Sequence, residues 1–105
     1  MIQINAKKSE SGDVIGFYVS GHAGFSPRGT DIVCAGISVL VLNCINSIEQ
    51  FSETRFHLIQ NEKDGIIDFS CREPLDEKAK LLLRSMFLGV QGIQDTYGSK
   101  YVTLH

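Results

Sequence analysis

The segment SGHAGFSPRGTDIVCAGIS, residues 20–38, decides the fold because it joins a predicted strand to a predicted helix. Residues 21–29 are rich in glycine and follow neither the alternation of a strand nor the period of a helix, so we expect a loop there. Thr30 and Asp31 are good N-cap residues and predict a helix over residues 31–51. Apolar residues occur on nearly every side of that helix, which is typical of a central helix packed between layers.

Strand patterns flank this segment on both sides. Alternating apolar and polar residues predict one hairpin before the helix and another after it, each with turn residues between its strands. Apolar residues at intervals of three and four predict a second helix before a short last strand. The predicted elements are strands Ile2–Lys8 and Asp13–Ser20, the first helix, strands Arg55–Glu62 and Gly65–Arg72, a helix from Asp76 to Gly98, and strand Lys100–Leu104. The order ββαββαβ predicts an α/β (α+β) sandwich over residues 1–105, one domain with two helices packed on a mixed or antiparallel sheet.

Composition restricts the class of protein. The chain has 105 residues, 43% of them apolar, which suits one compact core. Ten Lys and Arg against twelve Asp and Glu give no one-sided positive field, so we expect no direct nucleic-acid binding. The N-terminus lacks the basic-then-apolar layout of a secretory signal. The longest apolar run, Ile32–Leu42, is shorter than the roughly 20 residues of a membrane span, so we expect a cytoplasmic protein without a membrane contact.

The cysteines argue against disulfide and metal chemistry. Cys34, Cys44 and Cys71 form an odd set without CxxC spacing, so neither a disulfide framework nor a zinc site is indicated. We expect reduced thiols, no metal and no cofactor.

Cys34 and His22 have the residue types and spacing of a nucleophile and its base. Cys34 falls in the first turn of the predicted helix, where the helix dipole is expected to lower the pKa of a thiol. His22 lies twelve residues earlier at the end of a strand, and the loop between them can fold back. The imidazole would take the thiol proton and return it to a leaving amine. Asp31 and Ser38 share the helical stripe of Cys34; Asp31 either orients His22 or only caps the helix, and Ser38 is a weaker candidate for support.

The loop carries further hypotheses. Backbone N–H groups around Cys34 are candidates to stabilise an oxyanion. Gly21, Gly24 and Gly29 either permit turns with positive φ or act as hinges of a loop that gates substrate. We expect Arg28 to be solvated rather than to contact an acidic group.

Gly21-His22-Ala23, Gly29, Asp31-Ile32-Val33-Cys34-Ala35 and Ser38 together resemble the ribosomal-processing cysteine protease family Prp. The resemblance implies a bacterial endopeptidase that removes a short N-terminal extension from the twenty-seventh protein of the large ribosomal subunit, cutting after a phenylalanine. It implies that His22 and Cys34 form the catalytic dyad, that Asp31 and Ser38 belong to the same signature, and that the protein is a homodimer needed for ribosome maturation.

Two other functions stay open at this point. The first is a non-enzymatic ribosome-assembly module whose loop grips a peptide and whose thiol is incidental. The second is a redox-sensing thiol protein, for which a Cys34–Cys71 disulfide after mild peroxide would be the sign.

Overall fold

A computed structural model describes residues 1–27 and 29–105, so the expectation for Arg28 lies outside the described residues. The elements follow the predicted order ββαββαβ, and their ends lie within two residues of the predicted ends, the last strand beginning at Val102 instead of Lys100. Their bounds are β1 Ile2–Lys8, β2 Val14–Ser20, α1 Ile32–Phe51, β3 Phe56–Asn61, β4 Ile66–Cys71, α2 Glu77–Tyr97 and β5 Val102–Leu104. The predicted class, two helices packed on a mixed sheet, is confirmed.

The strands form one sheet in the order β3-β4-β2-β1-β5. Strands β1 and β2, β2 and β4, and β3 and β4 pair antiparallel, whereas β5 lies parallel to β1. Strand β4 therefore lies between its hairpin partner β3 and the distant strand β2. This long-range pairing brings the β3–β4 turn to the same end of the sheet as the loop that follows β2.

One face of the sheet is apolar and the other is polar. The register places Ile4 opposite Val19 and Phe17 opposite Phe69, and these four side chains are buried in the core with both helices. On the opposite face Lys7 forms an ion pair with Asp68 and donates a hydrogen bond to Ser70 at 2.7 Å. The molecule therefore has two layers, with the helices on one side only.

Helix α1 is not packed between layers, so that expectation was wrong. One side of α1 is buried against the sheet and α2 through Val33, Ile37, Val41, Cys44, Ile45 and Ile48. Its outer side leaves Ile32, Val39 and Phe51 more than half exposed, at 55%, 67% and 62%. The apolar residues found on nearly every side in the sequence thus include an outer set that the core of this chain does not cover.

By length and composition alone, the 20 residues of α1 are apolar enough to cross a membrane. The core helix of a soluble protein passes the same test. The buried residues of α1, from Val33 to Ile48, contribute to the core, which accounts for the apolar residues on that side of the helix.

The two helices touch through glycines. A Cβ at Gly36 of α1 would lie 3.0 Å from Cδ1 of Ile93, and a Cβ at Gly89 of α2 would lie 2.8 Å from Cδ2 of Leu40. Each glycine thus accepts a branched side chain from the opposite helix. A methyl group at either position would therefore require the opposite side chain to shift.

Asp76 joins the start of α2 to the end of α1. As the N-cap of α2 it accepts a hydrogen bond from the N–H of Ala79 at 2.8 Å. Its carboxylate also accepts from the Ser52 hydroxyl at 2.7 Å and from the N–H of Glu53 at 3.0 Å, and its own N–H donates to Thr54. These hydrogen bonds, that of Ala79 first, lower the pKa of Asp76 to about 2.

Candidate active site

Cys34 is the third residue of α1, and Asp31 is the N-cap, as predicted. Oδ1 of Asp31 accepts hydrogen bonds from the N–H groups of Val33 and Cys34, both at 3.0 Å. The cap therefore fixes the backbone from which the Cys34 side chain projects. Cys34 itself is half-buried.

The second oxygen of Asp31 holds the loop. Oδ2 accepts from the N–H of Phe25 at 3.0 Å and from the N–H of Ser26 at 3.3 Å. The side chain is only 7% exposed. Burial raises the pKa of this carboxyl, but the four backbone N–H groups outweigh burial and hold the pKa below its usual 3.8. Asp31 thus caps the helix, as one of the two open alternatives expected, and it also ties the loop to the helix start.

His22 lies two residues after β2 and faces the same cavities as Cys34. It is half-buried, and its ring carbon Cε1 lies beside Gly65 of the β3–β4 turn. The next residue, Ala23, is buried and donates its N–H to Sγ of Cys34 at 3.1 Å. The backbone that carries the imidazole is therefore held directly over the thiol.

The pKa of Cys34 is raised from 9.0, so the expected lowering at the helix start was wrong. Burial is the largest cause, and the nearby Asp31 carboxylate adds to it. The Ala23 N–H lowers the pKa but does not reverse the shift. Because the thiol keeps its proton, nucleophilic attack at neutral pH requires a base next to it.

The oxyanion hypothesis does not fit the first-turn amides in this conformation. The N–H groups of Val33 and Cys34 donate to the Asp31 side chain, and the N–H of Ala35 donates to the Asp31 carbonyl at 3.0 Å. These three donors are engaged within the protein.

Two cavities open on either side of the Cys34 thiol. One has a volume of about 260 Å³ and the other about 330 Å³. His22, Cys34 and Ser38 line both. The first is lined mostly by apolar residues with a few polar ones, and its further lining residues are Ile2, Val19, Gly21, Ile37, Val41, Leu42, Gln60, Asn61, Glu62, Gly65, Ile66 and Ile67. A concave site with an apolar lining and a few polar groups suits one large apolar side chain beside the reacting thiol.

Sequence reasoning missed the contribution of the β3–β4 hairpin, residues 60–67, to this cavity. Only the pairing of β4 with β2 brings that hairpin beside the loop, and no local pattern reports this pairing. The remaining predicted residues lie in the site. Ser38 is exposed one turn after Cys34, and Gly21, Gly24 and Gly29 have φ of +87°, +73° and +91°. The positive-φ alternative fits all three glycines.

Cys44 and Cys71 lie away from this site. Both are buried, and burial raises the pKa of Cys44 to about 12 and that of Cys71 to about 11. Cys71 ends β4 while the cavity is lined by the start of that strand, roughly 13 Å away at the rise of a strand. This placement does not favour a Cys34–Cys71 disulfide. Among residues 1–27 and 29–105, no group of three or more His, Cys, Asp or Glu side chains is placed to hold a metal ion.

A half-buried thiol in the first turn of a helix, an imidazole on the same cavity and an adjoining apolar pocket are the features of a cysteine protease. Comparison with known proteins agrees with this class. The profile of the family described as Cysteine protease Prp matches residues 1–103. This chain belongs to that family and is a cysteine protease.

The relatives extend over nearly the whole chain. The Ribosomal processing cysteine protease Prp of Bacillus subtilis (strain 168) is 31% identical over 101 residues, which cover 92% of this chain and 90% of the relative. A crystal structure of an essential ribosomal processing protease Prp from S. aureus with a covalently linked product peptide superimposes with a TM-score of 0.93. It is 26% identical and covers 100% of this chain and 98% of the other. The S. aureus protease with a substrate peptide has a TM-score of 0.87 and 25% identity, with the same two coverages.

Proposed function

We propose that this protease removes the short N-terminal extension of a bacterial large-subunit ribosomal protein, the twenty-seventh, by cutting after a phenylalanine, with Cys34 as nucleophile and His22 as general base. The observation that carries the proposal is the hydrogen bond from the Ala23 N–H to Sγ of Cys34 at 3.1 Å. It holds the loop that bears His22 over the thiol. Relatives named for ribosomal processing, one of them covalently linked to a product peptide, support the substrate class.

The raised pKa of Cys34 determines how the reaction begins. His22 takes the thiol proton as sulfur attacks the scissile carbonyl, and the carbonyl oxygen becomes an oxyanion. Collapse of this tetrahedral intermediate breaks the C–N bond, and the imidazolium returns the proton to the leaving amine. The N-terminal part remains on Cys34 as a thioester. Water then attacks the thioester while His22 removes a proton from it; the C–S bond breaks, the new carboxylate leaves, and the imidazolium returns the proton to the Cys34 sulfur.

The 260 Å³ cavity supports cleavage after a large apolar residue. Ile37, Val41 and Ile67 line the cavity together with Cys34. A substrate phenylalanine whose ring packs against them would have its backbone carbonyl near the sulfur. Gln60 also lines this cavity, and its side-chain amide can hydrogen-bond a peptide group next to that residue.

The supporting residues receive roles that follow from their contacts. Asp31 positions the loop through the N–H groups of Phe25 and Ser26. Ser38 lines both cavities and is placed to hydrogen-bond a bound peptide. Gly24 and Gly29 have open space where a side chain would be, which fits hinges of a loop that moves when substrate enters.

We further propose that residues 1–105 work as one cysteine-protease domain, that the protein acts in the cytoplasm, and that it assembles as a homodimer. The exposed apolar residues on the outer side of α1, Ile32, Val39 and Phe51, are surface that assembly would cover. Light scattering after size exclusion at micromolar concentration tests the homodimer; a monomer mass would contradict it.

Cleavage of a peptide that spans the phenylalanine-containing extension tests the activity. Cys34→Ala and His22→Ala are expected to lower kcat by a factor of about 10³ or more with unchanged circular dichroism. The chain supplies matched controls: Cys44→Ala removes a thiol from the same helix, and His57→Ala removes an exposed imidazole from β3. Both controls are expected to cleave as wild type.

Cleavage that survives Cys34→Ala would end the proposal for the nucleophile. If the wild type binds the peptide tightly but does not cut it, the ribosome-assembly binding module becomes the better description of this chain toward that substrate. Membership of a cysteine protease family favours cutting.

A further inference from the structure

We infer that Gly65, in the turn between β3 and β4, is a positioning residue that seats the imidazole of His22, and that only a residue without a side chain can do so. This inference rests on the proposed role of His22 as general base. The β3–β4 hairpin, although distant in sequence from residues 21–38, would then help to set the geometry between His22 and Cys34.

The contact is direct. A Cβ at Gly65 would lie 3.1 Å from Cε1 of His22 and 2.5 Å from the carbonyl oxygen of Gly21. Cε1 is the ring carbon bonded to both nitrogens of the imidazole, so a displacement there moves the proton-accepting nitrogen as well. The imidazole therefore lies next to Gly65, at a position where a side chain on residue 65 would touch it.

The His22 segment has little room to move away. On another side of the same segment, the Met1 carbonyl oxygen occupies the position of a Gly21 side chain, since a Cβ at Gly21 would lie 2.3 Å from it. Gly21 is thus confined between the backbone of Met1 and the turn at Gly65. An added methyl group at Gly65 would press first on the Gly21 carbonyl, which is bonded to the His22 nitrogen, and also on the imidazole itself, so the strain reaches His22 through its backbone and through its ring.

The turn is also restrained. The N–H of Gly65 donates to the Glu62 carbonyl at 3.2 Å, and Asn61 and Asp64 are joined by two hydrogen bonds of 2.9 and 3.3 Å. Strands β3 and β4 pair directly on either side of it, from Asn61 opposite Ile66 onward. A rigid support of this kind is what a proton-transfer geometry requires.

Backbone conformation alone could also explain a glycine here, because Gly65 has φ of +64°. The chain provides a matched control for that explanation. Gly12, in the turn between β1 and β2, has φ of +90°, and a Cβ there would meet nothing within 4 Å. Gly12→Ala therefore introduces the same kind of strain in a hairpin turn without touching the imidazole.

The experiment compares Gly65→Ala, Gly65→Asn, Gly12→Ala, His22→Ala and wild type. Asn tolerates positive φ better than Ala, so Gly65→Asn adds a side chain with less backbone strain and guards against a variant that fails to fold. For both Gly65 variants we expect kcat to fall about 100-fold, as for a reacting group displaced by about 1 Å, with KM changed by less than about threefold. Gly12→Ala is expected to keep the wild-type kcat.

A second measurement does not depend on the peptide. Iodoacetamide alkylates the thiolate of Cys34 and releases iodide, while Cys44 and Cys71 are buried, and mass spectrometry assigns the modified residue. The rate of Cys34 alkylation against pH in the Gly65 variants should match that of His22→Ala, and Gly12→Ala should match wild type.

A wild-type alkylation profile and kcat in folded Gly65→Asn would overturn the inference, because the added side chain would then not disturb His22. Equal loss of kcat in Gly12→Ala and Gly65→Ala would overturn it as well, since turn strain would be the common cause. If wild type cuts no ribosomal peptide, the proposed substrate fails, and the alkylation profiles still decide the role of Gly65.

Discussion

Asp31 caps helix α1 with one carboxylate oxygen and holds the loop with the other. Asp31→Asn should separate these two contacts, because it replaces one oxygen by an NH₂ group without changing the shape of the side chain. Asn is a good N-cap, so we expect its oxygen to keep the N–H groups of Val33 and Cys34. The NH₂ group then faces the N–H groups of Phe25 and Ser26, which lose their acceptor.

The size of the effect follows from those two hydrogen bonds. A hydrogen bond to a charged group contributes about 1.5–3 kcal/mol, and about 1.4 kcal/mol corresponds to a tenfold change in an equilibrium. The loop keeps its other anchor, because the ring of Phe25 packs edge-on against Tyr97 and Tyr101 with centroids 5.4 and 5.2 Å away. Each of the two amides loses one such hydrogen bond, so we expect the Phe25 and Ser26 amides each to exchange about 10- to 100-fold faster, while the chain stays folded.

Residue-resolved hydrogen exchange by NMR at pH 7 measures this directly. The amides of Val33 and Cys34 serve as the internal control and should change by less than about threefold, since the same side chain still caps them. Acid should reproduce the variant in the wild type. The pKa of Asp31 is held below 3.8, so its contribution is present above 3.8 and disappears as the pH falls through the lowered value.

Unchanged protection at Phe25 and Ser26 in Asp31→Asn would refute this explanation of how the loop is held. Loss of protection at Val33 and Cys34 instead would mean that the side chain of the Asp31→Asn variant places its oxygen toward the loop and its NH₂ group toward the helix. The hydrogen bonds to the loop would then be stronger than those of the cap.

Two further predictions concern stability. Asp76→Ala should lower the thermal midpoint at pH 7. Because the pKa of Asp76 is lowered to about 2, its contribution to stability is lost as the pH falls from 3.8 toward 2, and the difference in midpoint between variant and wild type should shrink over that range. A difference that does not depend on pH would contradict this account. The pKa of Cys44 and Cys71 is raised from 9.0 to about 12 and about 11, so the unfolded chain loses its thiol protons first as the pH rises. Each thiol therefore lowers the free energy of unfolding by roughly 1–2 kcal/mol at pH 10. Urea unfolding at pH 7 and pH 10 should therefore show a loss about 2–3 kcal/mol larger in wild type than in Cys44→Ala/Cys71→Ala, and equal losses would argue against buried neutral thiols.

Local patterns predicted the elements of this fold well. The alternation of apolar and polar residues in Ile2–Lys8 and the N-cap residue Asp31 are local signals, because each depends on neighbouring residues only. Strand β1 and the start of helix α1 both lie where these signals predicted them. The placing of Cys34 near the start of a helix has the same local origin.

The remaining features depend on tertiary structure. The sign of the Cys34 pKa shift was missed because burial, its largest cause, raises the pKa together with the Asp31 carboxylate, and burial has no local pattern. The role of the β3–β4 hairpin was missed because strand β4 pairs with β2, dozens of residues away. The outer side of α1 was assigned to a second layer because apolar composition does not distinguish a covered surface from an exposed one.

The glycines at the helix contact have a consequence for engineering this protein toward higher thermal stability. Replacing a helical glycine by alanine usually gains about 1 kcal/mol, and Gly92, whose added Cβ would meet nothing within 4 Å, is a suitable position for that change. At Gly36 and Gly89 the same change would force the ends of the Ile93 and Leu40 side chains to move, so the contact between the helices would have to repack. Since Gly36 lies two residues after Cys34, repacking at that position takes place next to the active site. Thermal stability can thus be added freely on the outer side of α2, whereas at the contact between the helices it competes with the geometry of the active site.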